Sequence, residues 1–213
     1  MCDSMPDGTN NRLPPIRRLL RAELPVDTVD LTRYLIGKTL VHDVSKTRLS
    51  GRIVEAEAYP IGDAAAHAFR GLTTRNRSLF LDRGYAYVFF NYGSHWMMNV
   101  SSEVAGVGAG VLIRALEPLE GIRQMERNRG VAQVLGLTKG PGRLALAMQI
   151  TKAQDGLDLC SPGSELWVGT AVKPVGKIGI ATRIGLSRQA HRKLRFYERG
   201  NPFVSGPRKL SPP

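Results

Sequence analysis

The stretch "RIVEAEAYP", residues 52–60, decides how the chain is read. Alternating apolar residues predict a strand, in which successive side chains point to opposite faces. Val54, Ala56 and Ala58 then share a core face, while Ile53, Glu55, Glu57 and Tyr59 share the other. Antiparallel sheets commonly leave one face solvated, so two carboxylates and a phenol on one side can mean a wet surface or a site.

Working outward, "KTLVHDV" and "LSGRIVEAEAY", separated by "SKTR", predict a hairpin. Upstream, "DTVDLTRYLIGKTLV" predicts a helix capped by Asp27 or Thr28, with Val29, Leu31, Tyr34 and Leu35 at helical spacing and a stop near Gly37. Downstream, "AAAHAFRGLTTRNRSLF" reads as a loop with a helical turn. "YAYVFFNYG" and "GVLIRALEP" read as strands flanking a polar connection, "SHWMMNVSSEVAGVGAG". "LEGIRQMERNRG" predicts a helix stopped by Gly130, "GPGRLALAMQI" a helix starting after Pro141, and "AVKPVGKIGIATRIGL" a return to strand. With no internal repeat, these elements make one mixed α/β domain over residues 25–205. A polar, then basic segment precedes it at residues 1–24, either a short amphipathic helix or a mobile arm, and a Pro-rich tail follows at residues 206–213.

A chain of 213 residues with 42% hydrophobic residues can bury a sizeable core. No apolar run approaches the roughly 20 residues of a membrane span, and the start lacks the basic and apolar regions of a signal peptide. The expectation is a cytoplasmic or nuclear protein with no membrane partner. Thirty Lys and Arg against 18 Asp and Glu give a net charge of +12, which suits a polyanion, nucleic acid ahead of an anionic membrane. Cys2 and Cys160 are too few for a disulfide framework, and His42, His67, His95 and His191 show no paired ligand spacing, so no metal is expected. "YAYVFFNYG" sets Tyr85, Tyr87, Phe89 and Asn91 along one face. An aromatic surface beside a carboxylate strand in a basic protein suits a site that sandwiches a nucleobase and activates water at a sugar carbon.

Seven blocks, "RIVEAEAY", "AAHAFRG", "RNRSLF", "YVFFNYG…MNVSS", "VLIRALEP", "KGPGRL" and "LRFYERGNPFVS", run in one order. In this the chain resembles the alkyladenine (3-methyladenine) DNA glycosylase family over about residues 25–205. The resemblance implies an α+β (mixed α/β) single domain with a curved, mostly antiparallel sheet and surrounding helices, like the formyltransferase C-terminal domain. It implies a monofunctional, cofactor-free enzyme, suited to act as a monomer, that flips a damaged purine out of double-stranded DNA and hydrolyses its N-glycosidic bond. Glu57 is then the general base, with Glu55 as support. Arg114 holds the water and the carboxylate, and the Ile184 carbonyl is a further water ligand. Tyr59, His67 and Phe89 line the base pocket, Asn99 crowds a guanine 2-amino group, and Tyr92 is the wedge that fills the vacated stack. Arg70, Arg75, Arg77, Arg192, Lys193 and Arg195 are candidates for phosphate contacts. Stacking would reward an electron-poor purine such as a cationic N-alkylated base.

The chain departs from the family pattern at Phe89, where a tyrosine is common, in "SHW" after Gly93, and in the spacings from Tyr59 to His67 and across "SSEVAGVGAG". No lysine stands at a nucleophile position, so no Schiff-base lyase step is expected. Two rival readings are a non-catalytic nucleic-acid-binding module and a formyltransferase C-terminal-like domain assisting tRNA recognition. Neither needs the carboxylate, arginine and aromatic combination.

Overall fold

The structure, a computed structural model, describes residues 14–91 and 93–207. Its spine is β2 (Thr47–Tyr59), a strand of 13 residues. β5 (Gly110–Glu120) pairs along one edge of β2 over Ser50 to Tyr59. The other edge is shared between β1 (Thr39–Val44) over the first half and β8 (Arg195–Glu198) over Glu55, Ala56 and Glu57. From β5 the sheet continues to β4 (His95–Ser101) and β3 (Ala86–Asn91); from β1 it continues to β6 (Leu166–Gly169), and β7 (Ile178–Ala181) pairs with β8. All these pairings are antiparallel, and the sheet is curled, which makes the fold the α+β class that the sequence predicts.

Helices cover one face of the sheet. α1 (Thr28–Leu35) begins where the Asp27 carboxylate accepts the Val29 and Asp30 amides, satisfying donors that the first turn leaves open. It buries Leu31 and Leu35 and ends before Gly37, whose φ of 86° suits a residue without a Cβ. α2 (Ile122–Arg129) stops at Gly130 in the left-handed conformation, and α4 (Pro141–Ala147) starts at Pro141, as predicted. Leu31, Leu35, Met125 and Leu144 from these helices join Leu40, Ile53, Ala56, Met98 and Ile113 of the sheet in the main core. A short α3 (Val134–Leu137) lies between α2 and α4. Among the described residues no helix is long and apolar enough to cross a membrane.

The other face carries smaller clusters, Val54, Ala115, Tyr197 and Val204 beside Ala68, Leu79, Tyr87 and Phe89. This corrects the face assignment of the opening stretch. Register shifts between Ile53 and Glu55 on β2 leave Val54 without a partner, and β5 skips Arg114 between Ala115 and Ile113. The two bulges re-aim the side chains around them. Ile53 therefore joins Ala56 and Ala58 in the helix-side core, and Val54 turns to the face of Glu55, Glu57 and Tyr59. That face is not solvated: Glu55 and Glu57 are both 0% exposed.

Four other expectations change. The polar connection after Tyr92 contains β4, in which Met98 and Val100 face the core while Met97 and Asn99 face the opposite side, an alternation interrupted by too few apolar residues to stand out. The hairpin turn is Ser45–Lys46 alone, with Ser45 at φ 51°, so β2 starts inside the expected loop. β6 and β8 are four-residue strands unmarked by their own pattern, and "AVKPVGKIGIATRIGL" is strand only at β7. In the basic N-terminal segment, Leu19 donates to the Val168 carbonyl and Thr170 to that of Arg17, so this stretch runs beside β6 with Leu19 and Leu24 buried. Residues 1–13 and the tail from residue 208 lie outside the described residues.

Candidate active site

Residues directly opposite in neighbouring antiparallel strands share a face. One such row crosses five strands: Arg195 on β8, Glu57 on β2, Leu112 on β5, Asn99 on β4 and Tyr87 on β3. Two residues along β2 is Tyr59, opposite Gly110, and two along β3 is Phe89, opposite Met97. The loop after β2 folds back to add His67, and the segment after β7 adds Ile184. Of these, Tyr59, His67, Tyr87, Phe89, Met97, Asn99, Gly110, Leu112 and Ile184 line, with Arg114, a cavity of about 470 Å³, within the roughly 300–1,000 Å³ range of small-molecule sites.

Glu57 stands just behind the lining, its carboxylate held by three residues that do line the cavity. The Ile184 amide donates to Oε1 at 2.8 Å, Arg114 Nη1 stands 3.2 Å from Oε1, and the Tyr59 hydroxyl donates to Oε2 at 3.0 Å. Burial pushes the Glu57 carboxyl above its ordinary pKa, opposed by Arg114, the Ile184 amide and the Tyr59 hydroxyl. Arg114 is in turn fixed by Glu55, whose Oε1 accepts from Arg114 Nε at 3.1 Å and Arg195 Nη1 at 3.0 Å, while Oε2 accepts the Ser205 amide at 2.6 Å. Two carboxylates and two guanidinium groups thus balance in charge beneath the cavity. Burial also raises the Tyr59 phenol, reinforced by the adjacent Glu57 charge, so its hydroxyl stays a proton donor.

The aromatic wall is interlocked. His67 meets Phe89 edge-on with centroids 4.4 Å apart, Tyr87 stacks on Phe89 at 5.4 Å, and His67 Nδ1 lies 2.9 Å from the Tyr87 hydroxyl. Burial, with the nearby Arg75 charge, lowers the His67 pKa, leaving a neutral imidazole at neutral pH. The His67 loop is stapled by Asn76, whose amide donates to the His67 and Gly71 carbonyls at 2.9 and 3.0 Å.

Residues 22–202 match the family model of methylpurine-DNA glycosylase. The chain belongs to the methylpurine-DNA glycosylase family. It is 59% identical over 197 residues to a protein of Mesorhizobium japonicum, covering 92% of this chain and 93% of that one. It is 53% identical over 196 residues to one of Paraburkholderia phytofirmans, covering 92% of each, and 41% over 210 residues to one of Koribacter versatilis, covering 97% and 100%. All three are provisionally named 3-methyladenine DNA glycosylases. A methylpurine-DNA glycosylase is a DNA-repair hydrolase of N-glycosyl bonds, which sets aside both non-catalytic readings.

In this glycosylase the structure brings Glu57, Tyr59, His67, Phe89, Asn99, Arg114 and Ile184 together. The Ile184 amide donates to Glu57, a contact beyond the water-holding role expected of its carbonyl. Arg70, Arg75, Arg77 and Lys193 are exposed, and Arg192 is half-buried against Asp63 at 3.3 Å. Arg195 is withdrawn from the phosphate candidates: it is 0% exposed and spent on Glu55 and the Thr182 carbonyl. Tyr92 lies outside the described residues. Reading by residue type put Tyr87 on the aromatic face without a role of its own, and missed Asp63, Arg183 and Ser205. Tyr87 was signalled by its place two residues before Phe89. The others act through backbone contacts or loop pairs that no local pattern announces.

Proposed function

We propose that this glycosylase flips an alkylated or otherwise damaged purine out of duplex DNA into the cavity and hydrolyses its N-glycosidic bond with water activated by Glu57. The observation that carries this reading is the buried Glu57 carboxylate at the edge of an aromatic-walled cavity. A carboxylate has about four lone-pair sites; Ile184 and Tyr59 donate to two, Arg114 stands beside Oε1, and the nucleophilic water is the further donor this reading adds. The water oxygen bonds to C1′ of the sugar, its proton passes to Glu57, and the C1′–N bond breaks with its electron pair leaving on the base. Positive charge develops on the sugar beside the Glu57 carboxylate, which stabilises it.

Tyr59, His67 and Phe89 stack on and orient the flipped base. Asn99, nearly buried in the facing strand, discriminates by crowding a guanine 2-amino group. Purines such as 3-methyladenine, hypoxanthine, ethenoadenine and 7-methylguanine are the substrate class. The test is single-turnover base release from duplexes that each carry one defined lesion. Release of at least one adenine-derived lesion base, and none from undamaged duplex, supports the reading; tight binding of lesion duplex without release of any base overturns it.

A further inference from the structure

Two guanidinium groups stand against the rings of the cavity wall. The Arg183 guanidinium carbon lies 4.5 Å from the Tyr59 ring centre, and that of Arg75 lies 6.0 Å from the Phe89 ring centre. Both rings line the cavity and neither arginine does, so each cation stands against a ring of the wall without itself entering the lining. An unbacked aromatic face attracts a cation through its quadrupole. A ring already facing one cation offers less of that attraction to a second.

The surrounding charges do not cancel this field. Glu55 and Glu57 are balanced by Arg114 and Arg195. Asp63 is shared by two arginines, Arg183 at 2.6 Å and Arg192 at 3.3 Å, which leaves one positive charge over. Arg75 has no ion pair among the described residues; its Nη2 donates to the Phe90 carbonyl at 3.4 Å. No aspartate or glutamate lines the cavity. Arg183 also keeps Nε and Nη2 buried without a hydrogen-bond partner, an unfavourable arrangement explained if the plane of the group is committed to the Tyr59 face.

We infer that Arg75 and Arg183, acting through the Phe89 and Tyr59 rings, bias the cavity toward electrically neutral damaged purines and against cationic ones. This rests on the base-release reading above. The two classes differ in how charge moves as the C1′–N bond breaks. A neutral purine such as hypoxanthine takes the electron pair and becomes anionic before solvent protonates it, so nearby positive charge stabilises its departure. A cationic purine such as 3-methyladenine leaves as a neutral molecule, and its positive charge is repelled while bound and still partly repelled in the transition state. The arginines therefore raise kcat/KM for the neutral base and lower it for the cationic one.

The experiment measures kcat/KM for hypoxanthine and for 3-methyladenine release by the wild type, Arg75→Gln and Arg75→Lys. Arg75 is exposed, so its replacement spares the core. At a charge separation near 10 Å with partial screening, Arg75→Gln should lower hypoxanthine release, raise 3-methyladenine release, and shift their ratio about three- to tenfold. Arg75→Lys, which keeps the charge, should stay close to wild type. Loss of a phosphate contact or of structure would depress both bases alike, so parallel changes in Arg75→Gln, or an unchanged ratio, overturn the inference. A wild type that releases neither base overturns the reading on which it stands.

Discussion

Tyr59→Phe removes one oxygen and leaves the ring, its stacking surface and the Arg183 contact in place. What is lost is one of three donors to a fully buried carboxylate, the 3.0 Å bond to Glu57 Oε2. A hydrogen bond to a charged group is worth about 1.5–3 kcal/mol, and one pKa unit corresponds to about 1.4 kcal/mol. Water entering from the cavity replaces only part of the lost bond, so the Glu57 pKa is expected to rise further. The sign follows from the chemistry. Glu57 accepts a proton only when ionised; burial already raises its pKa, so activity is lost as pH falls through that raised value. The hydroxyl favours the ionised form, and removing it raises the value further. Single-turnover release of hypoxanthine, followed as a function of pH, should show the acid limb of Tyr59→Phe displaced to higher pH, with release on that limb lowered about tenfold, while the alkaline plateau stays near wild type. An acid limb in the same place refutes the role of this hydroxyl in setting Glu57 ionisation. An equal drop at every pH assigns Tyr59 to positioning instead.

Asp63→Ala should leave the buried Arg183 without its carboxylate and cost about 3–5 kcal/mol of unfolding free energy in a denaturant titration; a loss below about 1 kcal/mol would mean that the pair is not structurally required. Asn99→Ser should admit guanine-derived bases while leaving adenine-derived release broadly intact, because a clash rather than an attraction is removed; unchanged release of 7-methylguanine relative to hypoxanthine removes Asn99 from that role. Affinity for undamaged duplex should fall steeply with salt, as phosphate contacts by a protein of net charge +12 require, and a flat dependence would argue against phosphate contacts by the exposed arginines.

In the sequence alone the roles of the site residues come from the family resemblance, while the strand period of two shows only which of them share a face. Glu57 and Tyr59 on β2, and Tyr87 and Phe89 on β3, keep that period and fall on the cavity face. The reading failed where the period breaks. Strict alternation gives Val54 and Ile53 the wrong faces because Val54 is left over at a bulge, and a bulge depends on the partner strand, which local alternation does not reveal. Arg195 misled for a related reason. In sequence it is another basic residue near Arg192 and Lys193, and its burial on Glu55 arises only because β8 completes the edge of β2 that β1 leaves open. β6 and β8 themselves, four residues each, are held by their neighbours rather than by any pattern of their own. Asp63 and Arg183 are 120 residues apart in the chain, and only the folded sheet brings them together behind Tyr59.

The central claim is that Glu57, rather than its equally buried neighbour Glu55, activates the water. Glu57→Gln and Glu55→Gln are near-isosteric, so each can be compared with wild type for binding of a lesion duplex and for single-turnover base release. Glu57→Gln should bind with nearly unchanged affinity and lose about 100-fold or more in release, whereas Glu55→Gln should retain the larger share of activity, weakened through its hold on Arg114. Near-normal release by Glu57→Gln, or a large loss confined to Glu55→Gln, would contradict the account.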